Sequence, residues 1–407
     1  MKIEQGSPAF RNISLALFAG GFVTFALLYT LQPLMPEITG DFGITPTKAS
    51  LTLSVTTIAM ALTMLFIGSI SDATGRRAIM TASLVAASLI AVFSAFSPQF
   101  PVLLLLRILQ GIALAGLPAI AMTYLVEEID PASLGYAMGL YISGNSIGGM
   151  AGRIISGLLT DWFGWRAAVG GIGVLGLVAA VIFWMVIPPS RHFVKQPGKL
   201  SRVIPLLWSQ CRNPRLLCLY GLGFLLMGSF VTLFNYIGFE LTGKPYNLSQ
   251  SLVGSIFVVY LMGTFSSTWM GRLADRYGRT GVIILALAII LGGALCTLHP
   301  YLWVKIIGLA LFAFGFFGGH SIASSWVGLV ADEHKSQANA LYLFFYYVGS
   351  SLSGTGGGVL YGHFGWIGII GMIACYVLLS LLLCSLLVRK NKAGQVHTLS
   401  REVEHMK

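Results

Sequence analysis

Charge is what this chain has least of. Only 10% of its 407 residues are Asp, Glu, Lys or Arg, against roughly 25% in soluble globular domains, and the deficit excludes an ordinary water-soluble fold. Acids are scarcer than bases, 14 against 25. All of them fall in loops, tails or the ends of apolar runs, so the apolar runs hold no paired carboxylates for hydrolytic or acid–base chemistry. They also hold no His-and-acid metal cluster and no nucleophile beside a base, and an enzyme is not expected. The five cysteines, Cys211, Cys218, Cys296, Cys375 and Cys384, show no C-x-x-C pairing and give no reason to expect disulfides or metal. The phosphate-cradling pattern G-x-x-x-x-G-K-[ST] is missing, which excludes ATP-driven work by this chain. Gly171, Gly173 and Gly176 do spell G-x-G-x-x-G, but they lie inside an apolar run with no strand before them. Small residues that let helices approach closely explain them better, and no cofactor is expected.

Long apolar runs are abundant instead. A helix needs about 20 apolar residues to cross the roughly 30 Å hydrocarbon core, and twelve such runs occur, at approximately 12–36, 48–70, 78–97, 100–126, 134–160, 165–188, 215–239, 251–270, 279–298, 301–329, 337–360 and 365–388. The short alternating segments of a membrane β-barrel do not occur. The first run follows Lys2 and Arg11 like a secretion signal, but it is long and no small-residue cleavage pattern follows, so it reads as a retained helix. The expected fold class is therefore an all-α membrane protein with twelve transmembrane helices. The formal charge of +11 reports orientation: with the N-terminus in the cytoplasm, 19 of the 25 Lys and Arg lie on that side, as the positive-inside rule requires. Both termini are then cytoplasmic, and the basic balance calls for no nucleic acid.

The stretch 188–215 is the longest hydrophilic interruption and divides the runs six and six. The expected domains are an N-terminal six-helix bundle at 1–190, a cytoplasmic linker at 191–214, a C-terminal six-helix bundle at 215–388 and a cytoplasmic tail at 389–407. The halves echo each other. "GSISDATGRR" at 68–77 returns as "GRLADRYGRT" at 271–280, preserving G-x-x-x-D-x-x-G-R; "FGW" at 163 returns at 364, and "LY" at 140 returns at 341. Such echoes mark an internal duplication, two pseudo-symmetric bundles related by an axis along the membrane normal.

Twelve spans, a central linker and the duplicated loop resemble the major facilitator superfamily of secondary transporters. "RILQG" at 107–111 is similar to its R-x-x-Q-G element, and "GLYISGNSIGGMAGR" at 139–153 is similar to its glycine-rich antiporter element, with Asn145 where the family has proline. "YLVEEIDP" with "YISGNSIGGMAGR" most resembles the acriflavin-sensitivity, YnfM-like branch beside the arabinose and drug exporters. The resemblance implies alternating access in the bacterial inner membrane, with a small-molecule substrate, protons and the lipid bilayer as partners and a monomer as the working unit. Efflux of a drug-like or sugar-like compound against proton entry is the first reading. Uptake or facilitated diffusion of a sugar or organic anion is the second, and a non-transporting membrane sensor is the rival from another class.

The resemblance also assigns residues. The loops Gly68, Asp72, Gly75, Arg76, Arg77 and Gly271, Asp275, Gly278, Arg279 are expected to form a conformational latch. Asp72 would dock on the start of span eleven, and Arg76 or Arg77 would pair with Glu127 or Glu128; the mirrored set adds Asp332 or Glu333. The alternative is a solvated turn. Arg107 is costly inside a span, and it either serves an anionic group or a protonatable neighbour or snorkels to the interface. Arg153 is a candidate for the outer vestibule, with snorkelling or pairing with Asp161 as the alternative. His320 is a candidate proton carrier or a neutral ring bonded to a neighbouring helix, with Glu37 and Asp41 next in line. Tyr29, Gln32, Gln110, Asn145, Asn235, Tyr236, Ser324, Tyr342 and Tyr346 concentrate in spans one, four, five, seven, ten and eleven, and with Arg107 they form the expected substrate-binding set.

Overall fold

Turn chemistry fixes where the helices begin. The computed structural model describes residues 2–190, 192, 193, 195, 200–331 and 335–405. Helix α1 (Pro8–Tyr29) starts at a proline whose missing N–H costs nothing there, and the Ser7 hydroxyl accepts the Phe10 N–H at 3.2 Å. α2 (Met35–Phe42) follows, then α3 (Pro46–Thr74), capped by Thr45, and α4 (Arg76–Ser94). α5 (Phe100–Leu114) and α6 (Gly116–Glu128) make one crossing between them. α7 (Pro131–Val186) is capped by Asp130, which accepts the Ala132 N–H at 2.9 Å. α8 (Leu200–Cys211) lies in the linker. The second half runs through α9 (Pro214–Thr242), α10 (Gln250–Ile256), α11 (Leu261–Tyr277), α12 (Arg279–Cys296), α13 (Leu302–Val330) and α14 (Lys335–His405). Extended pairing among the described residues is limited to one bridge between Ile3 and Ile129.

Among the described residues, ten helical stretches are long and apolar enough to span a bilayer. Two of them, α7 and α14, are interrupted at Gly164 (φ 80°, ψ 162°) and Gly365 (φ 59°, ψ −147°), so each is a pair of crossings and the described residues make twelve. Both breaks are the middle residue of the repeated FGW, and both backbones lie in a region essentially restricted to glycine. The fold is all-α and multi-pass. Several boundaries differ from those expected of the sequence, the run at 251–270 among them, which stays helical to Tyr277. The run expected at 12–36 ends as a helix at Tyr29, because Pro33 and Pro36 cannot donate to a continuing ladder, and Glu37 and Asp41 ride on the separate α2. The last helix extends past 388 to His405.

The chain falls into two compact units. Unit 1 comprises Met1–Val203, Thr232–Val258 and Ser351–Gly362; unit 2 comprises Ile204–Val231, Val259–Ser350 and His363–Lys407. Unit 1 therefore holds the end of α9, all of α10 and a stretch of α14 together with the first six crossings. At its end carrying Asp41, Leu31, Leu34, Ile38, Leu103 and Trp165 form a buried core. Helices inside it cross closely: a Cβ on Gly157 would lie 3.1 Å from the Gly254 Cα. In unit 2 the Phe230 ring stacks on Phe316, and the Trp366 indole donates to the Thr297 hydroxyl at 2.9 Å.

Gly164→Ala should cost about 1–3 kcal/mol for its forbidden backbone. Gly139→Ala, in a helix where a new Cβ meets nothing within 4 Å, should be neutral or slightly stabilising. Melting of the purified variants in detergent checks the contrast, and equal melting of the two would contradict a glycine-dependent break.

Candidate functional site

Three buried groups of the predicted residues are formed inside the units. The first is centred on Arg107, 2% exposed. A cation in hydrocarbon needs acceptors for every N–H it carries. Its Nε donates to the Thr52 carbonyl at 3.0 Å and its Nη2 to the Leu28 carbonyl at 2.9 Å, while Nη1 reaches the Leu27 carbonyl at 3.4 Å and the Gln110 side chain. Leu27 and Leu28 belong to the last turn of α1, whose carbonyls have no helical partner of their own. The guanidinium thus caps the negative end of α1. Gln110 donates in turn to the Ala87 carbonyl at 3.1 Å, and Gly111 lies against the backbone of Thr56. One R-x-x-Q-G element ties α5 to α1, α3 and α4.

The second group is a buried polar chain. Arg153 donates through Nε to Gln32 Oε1 at 2.6 Å and through Nη1 to the Gly149 carbonyl at 2.5 Å. Its guanidinium lies 3.9 Å from the Tyr29 ring centroid and 5.0 Å from that of Phe257, a cation–π geometry. Gln32 donates onward to Asn235 Oδ1 at 2.7 Å. Arg153, Gln32 and Asn235 are 2%, 1% and 0% exposed, and the Asn235 Nδ2 has no partner among the described residues. At the same end of unit 1, Asp161 accepts the Gln250 and Ser251 N–H groups at 3.0 and 2.8 Å, capping α10, and Gln250 donates to Glu37 at 3.2 Å. Asp161 is thereby committed to α10 rather than to Arg153. Asp41 pairs with Arg166 and takes the Trp165 indole N–H at 3.3 Å. Ser54 accepts from Ser351 through its carbonyl at 2.8 Å and from Thr355 through its hydroxyl at 2.9 Å. Tyr236 donates to the Gly354 carbonyl at 2.7 Å. Asn145 fits beside α1 because Gly21 has no side chain to displace its Oδ1.

The third group lies in unit 2. His320 Nδ1 is 2.9 Å from the Tyr342 hydroxyl. The imidazole stacks parallel to Phe316 at 5.9 Å and packs against Tyr346 at 4.6 Å. Helical spacing explains the grouping: 316, 320 and 324 share one face of α13, and 342 and 346 share one face of α14. Tyr342 is fully buried, next to Gly223, whereas His320, Ser324 and Tyr346 are half-buried.

Comparison with known proteins decides the family. The description "Major Facilitator Superfamily" matches residues 17–327 and 241–405. The chain belongs to the major facilitator superfamily. It is 53% identical over 390 residues to the uncharacterized MFS-type transporter YybF of Bacillus subtilis (strain 168), covering 96% of each chain. To the inner membrane transport protein YnfM of Escherichia coli (strain K12) it is 46% identical over 391 residues, covering 95% of this chain and 93% of that one. Its fold is similar to the crystal structure of a bacterial homolog of the human lysosomal transporter Spinster, with a TM-score of 0.80 at 15% identity and coverage of 94% and 98%. It is a multi-pass membrane transporter of this superfamily and not an enzyme.

The superfamily's duplicated loop differs between its two copies here. Gly75 (φ 112°) and Gly278 (φ 88°) turn the two loops alike. Arg76, 8% exposed, pairs with Asp72 at 2.6 Å and Glu127 at 2.8 Å and donates to the Ser71 hydroxyl at 3.0 Å. Arg77 donates to the Trp184 carbonyl at 2.6 Å, and Glu128 accepts the His192 N–H at 2.9 Å. In the second copy Arg279 stands 3.7 Å from Asp275, which is 77% exposed; Asp332 and Glu333 lie outside the described residues. Gly68 and Gly271 have open space where a side chain would be. Sequence reasoning did not single out Ser54, Gln250, Phe257, Ser351 or Thr355. Only the cap-like "LSQSL" at 248–252 hinted that a helix start needed a partner.

Arg107→Lys should destabilise the protein nearly as much as Arg107→Met, on the order of 2 kcal/mol or more, because an ammonium cannot serve acceptors spread around a planar fork. Melting in detergent tests this; a lysine variant as stable as wild type would refute the carbonyl cap.

Proposed function

We propose that the chain is a secondary active transporter that exports a small organic compound, drug-like or sugar-like, in exchange for protons. Its bundles, 1–190 and 215–388, would work by alternating access in the inner membrane with both termini cytoplasmic and one chain as the working unit. The excess of Lys and Arg at the ends carrying residues 72–77 and 272–279 supports that orientation, and the similarity to an inner membrane transport protein supports the compartment.

The observation that carries proton exchange is the hydrogen-bonded pair of His320 and Tyr342. The spans hold no carboxylate in their interiors, and this imidazole is a half-buried titratable ring among hydroxyls and aromatic faces. Protonation of the ring forces the Tyr342 hydroxyl to act as acceptor, so charge and hydrogen-bond polarity change together beside Tyr346 and Ser324. An aromatic, weakly polar wall of this kind suits an amphipathic organic molecule. One proton moving down a 100 mV potential supplies about 2.3 kcal/mol.

Alternating access also needs a seal that opens. The chain Arg153–Gln32–Asn235, the Asp161 cap on α10 and the Ser54 contacts all join segments of the first and second halves at the end assigned to the outside, and they support a state closed on that side. The latch is proposed for the opposite end: Asp72, with Arg76 and Glu127 holding its loop, would meet the start of span eleven when the cytoplasmic side closes, with Asp275 and Arg279 as the mirrored pair.

A substrate panel in proteoliposomes with an imposed pH gradient tests the coupling. Wild-type transport should accelerate with the gradient, and His320→Ala should lose that dependence. Transport indifferent to the gradient would refute proton exchange, and gradient-driven transport by His320→Ala would move the coupling to Glu37 or Asp41.

A further inference from the structure

The start of α1 and the start of α7 leave a groove of about 540 Å³ within unit 1. Its lining changes along its length. At one end are Ser7, Arg11 and Ser14; toward the other are Leu15, Phe18 and Leu140. From Arg11 to Phe18 α1 rises about 10 Å, enough to set a lipid headgroup apart from the start of its acyl chains. Leu15 is 58% exposed.

The polar end has unused capacity. Arg11 is exposed and enters none of the ion pairs among the described residues. Ser14 is only 6% exposed, yet its hydroxyl has no hydrogen-bond partner among the described residues, which is costly for a buried polar atom unless a ligand completes it. Arg11 closes the first turn of a 22-residue helix, where the dipole favours an anion, and Ser14 lies one turn further along the same face. The acid of this segment, Glu4, does not line the groove. The tail before α1 is held in place: the Lys2 ammonium donates to the Val126 carbonyl at 2.8 Å, the Ile3 N–H to the Glu128 carbonyl at 2.9 Å and the Gln5 N–H to the Ser133 hydroxyl at 3.1 Å. Phe10 stacks on Tyr136 at 6.1 Å and ties α1 to α7 beside the groove.

We propose that this groove binds one anionic phospholipid, its phosphate on Arg11 and Ser14 and an acyl chain along Leu15, Phe18 and Leu140. A soluble anion needs the cation but not the apolar wall, and a zwitterionic lipid needs the wall but gains less from the guanidinium. The assignment to the inner leaflet, whose anionic lipids attract basic residues, rests on the orientation proposed above. The site itself does not, because lipid retention in detergent has no sidedness and requires no transport.

Native mass spectrometry of the purified full-length protein, titrated with phosphatidylglycerol or phosphatidylcholine, tests the site. Wild type should hold one phosphatidylglycerol more firmly than any phosphatidylcholine. Arg11→Glu should weaken that binding about tenfold or more, the loss of a charge-assisted contact, and Arg11→Lys should keep most of it. Ser14→Phe should exclude both lipids by filling the groove. Melting in lipid-free detergent controls for folding, and the exposed Arg11 keeps the test decisive even if Ser14→Phe misfolds. Phosphatidylglycerol held equally by wild type and Arg11→Glu would overturn the proposal, as would displacement of the lipid by an equal concentration of glycerol phosphate.

Discussion

Hydrocarbon supplies no hydrogen bonds, and the protein's polar architecture answers that lack. A backbone carbonyl at a helix end, or a guanidinium within a span, must find its partner inside the protein. Arg107 meets both needs at once: the open carbonyls at the end of α1, with the Thr52 carbonyl inside α3, satisfy the cation, and the cation closes the end of α1. The R-x-x-Q-G element is thereby a joint between four helices, and α1, which ends at Tyr29 and leads into the turn carrying Gln32, depends on it for position.

The same lack explains why polar groups that join the two halves are informative. Arg153, Gln32 and Asn235 form a continuous buried chain with a ring on the cation's face. Parting such a chain exposes each group to a new environment, and in a membrane that environment must be water. In the alternating-access cycle proposed here, an opening that separates Gln32 from Asn235 would have to admit water as it proceeds. The Asn235 amide nitrogen, which has no partner among the described residues, would be free to donate to that water.

Much of this fold was legible in the sequence, because hydrophobic run length and the duplication are properties of the chain itself. The FGW echo foreshadowed that Gly164 and Gly365 would break their helices alike, and the repeated loop foreshadowed the matching turns at Gly75 and Gly278. The resemblance had offered Arg76 or Arg77 as a partner for Glu127 or Glu128, and the structure pairs Arg76 with Glu127; His320 and Tyr342 were each candidates, but their contact was not legible. The partners of Arg107 were not legible, since backbone carbonyls leave no mark in a sequence. Nor was the role of Asp161: a single exposed acid between two apolar runs gives no sign that it caps a helix 89 residues away. The helical end at Tyr29 was legible in principle from Pro33 and Pro36, but hydropathy outvoted them.

Alternating access by this chain requires that segments of its first and second halves, joined at Ser54, Ser351 and Thr355 in one state of the cycle, separate in another. Cysteines replacing Ser54 and Thr355, whose hydroxyls lie 2.9 Å apart, should cross-link in a background stripped of the five native cysteines. Oxidation is expected to stop transport of an identified substrate, and a reductant is expected to restore it. Transport at an unchanged rate with the cross-link fully formed would contradict the requirement.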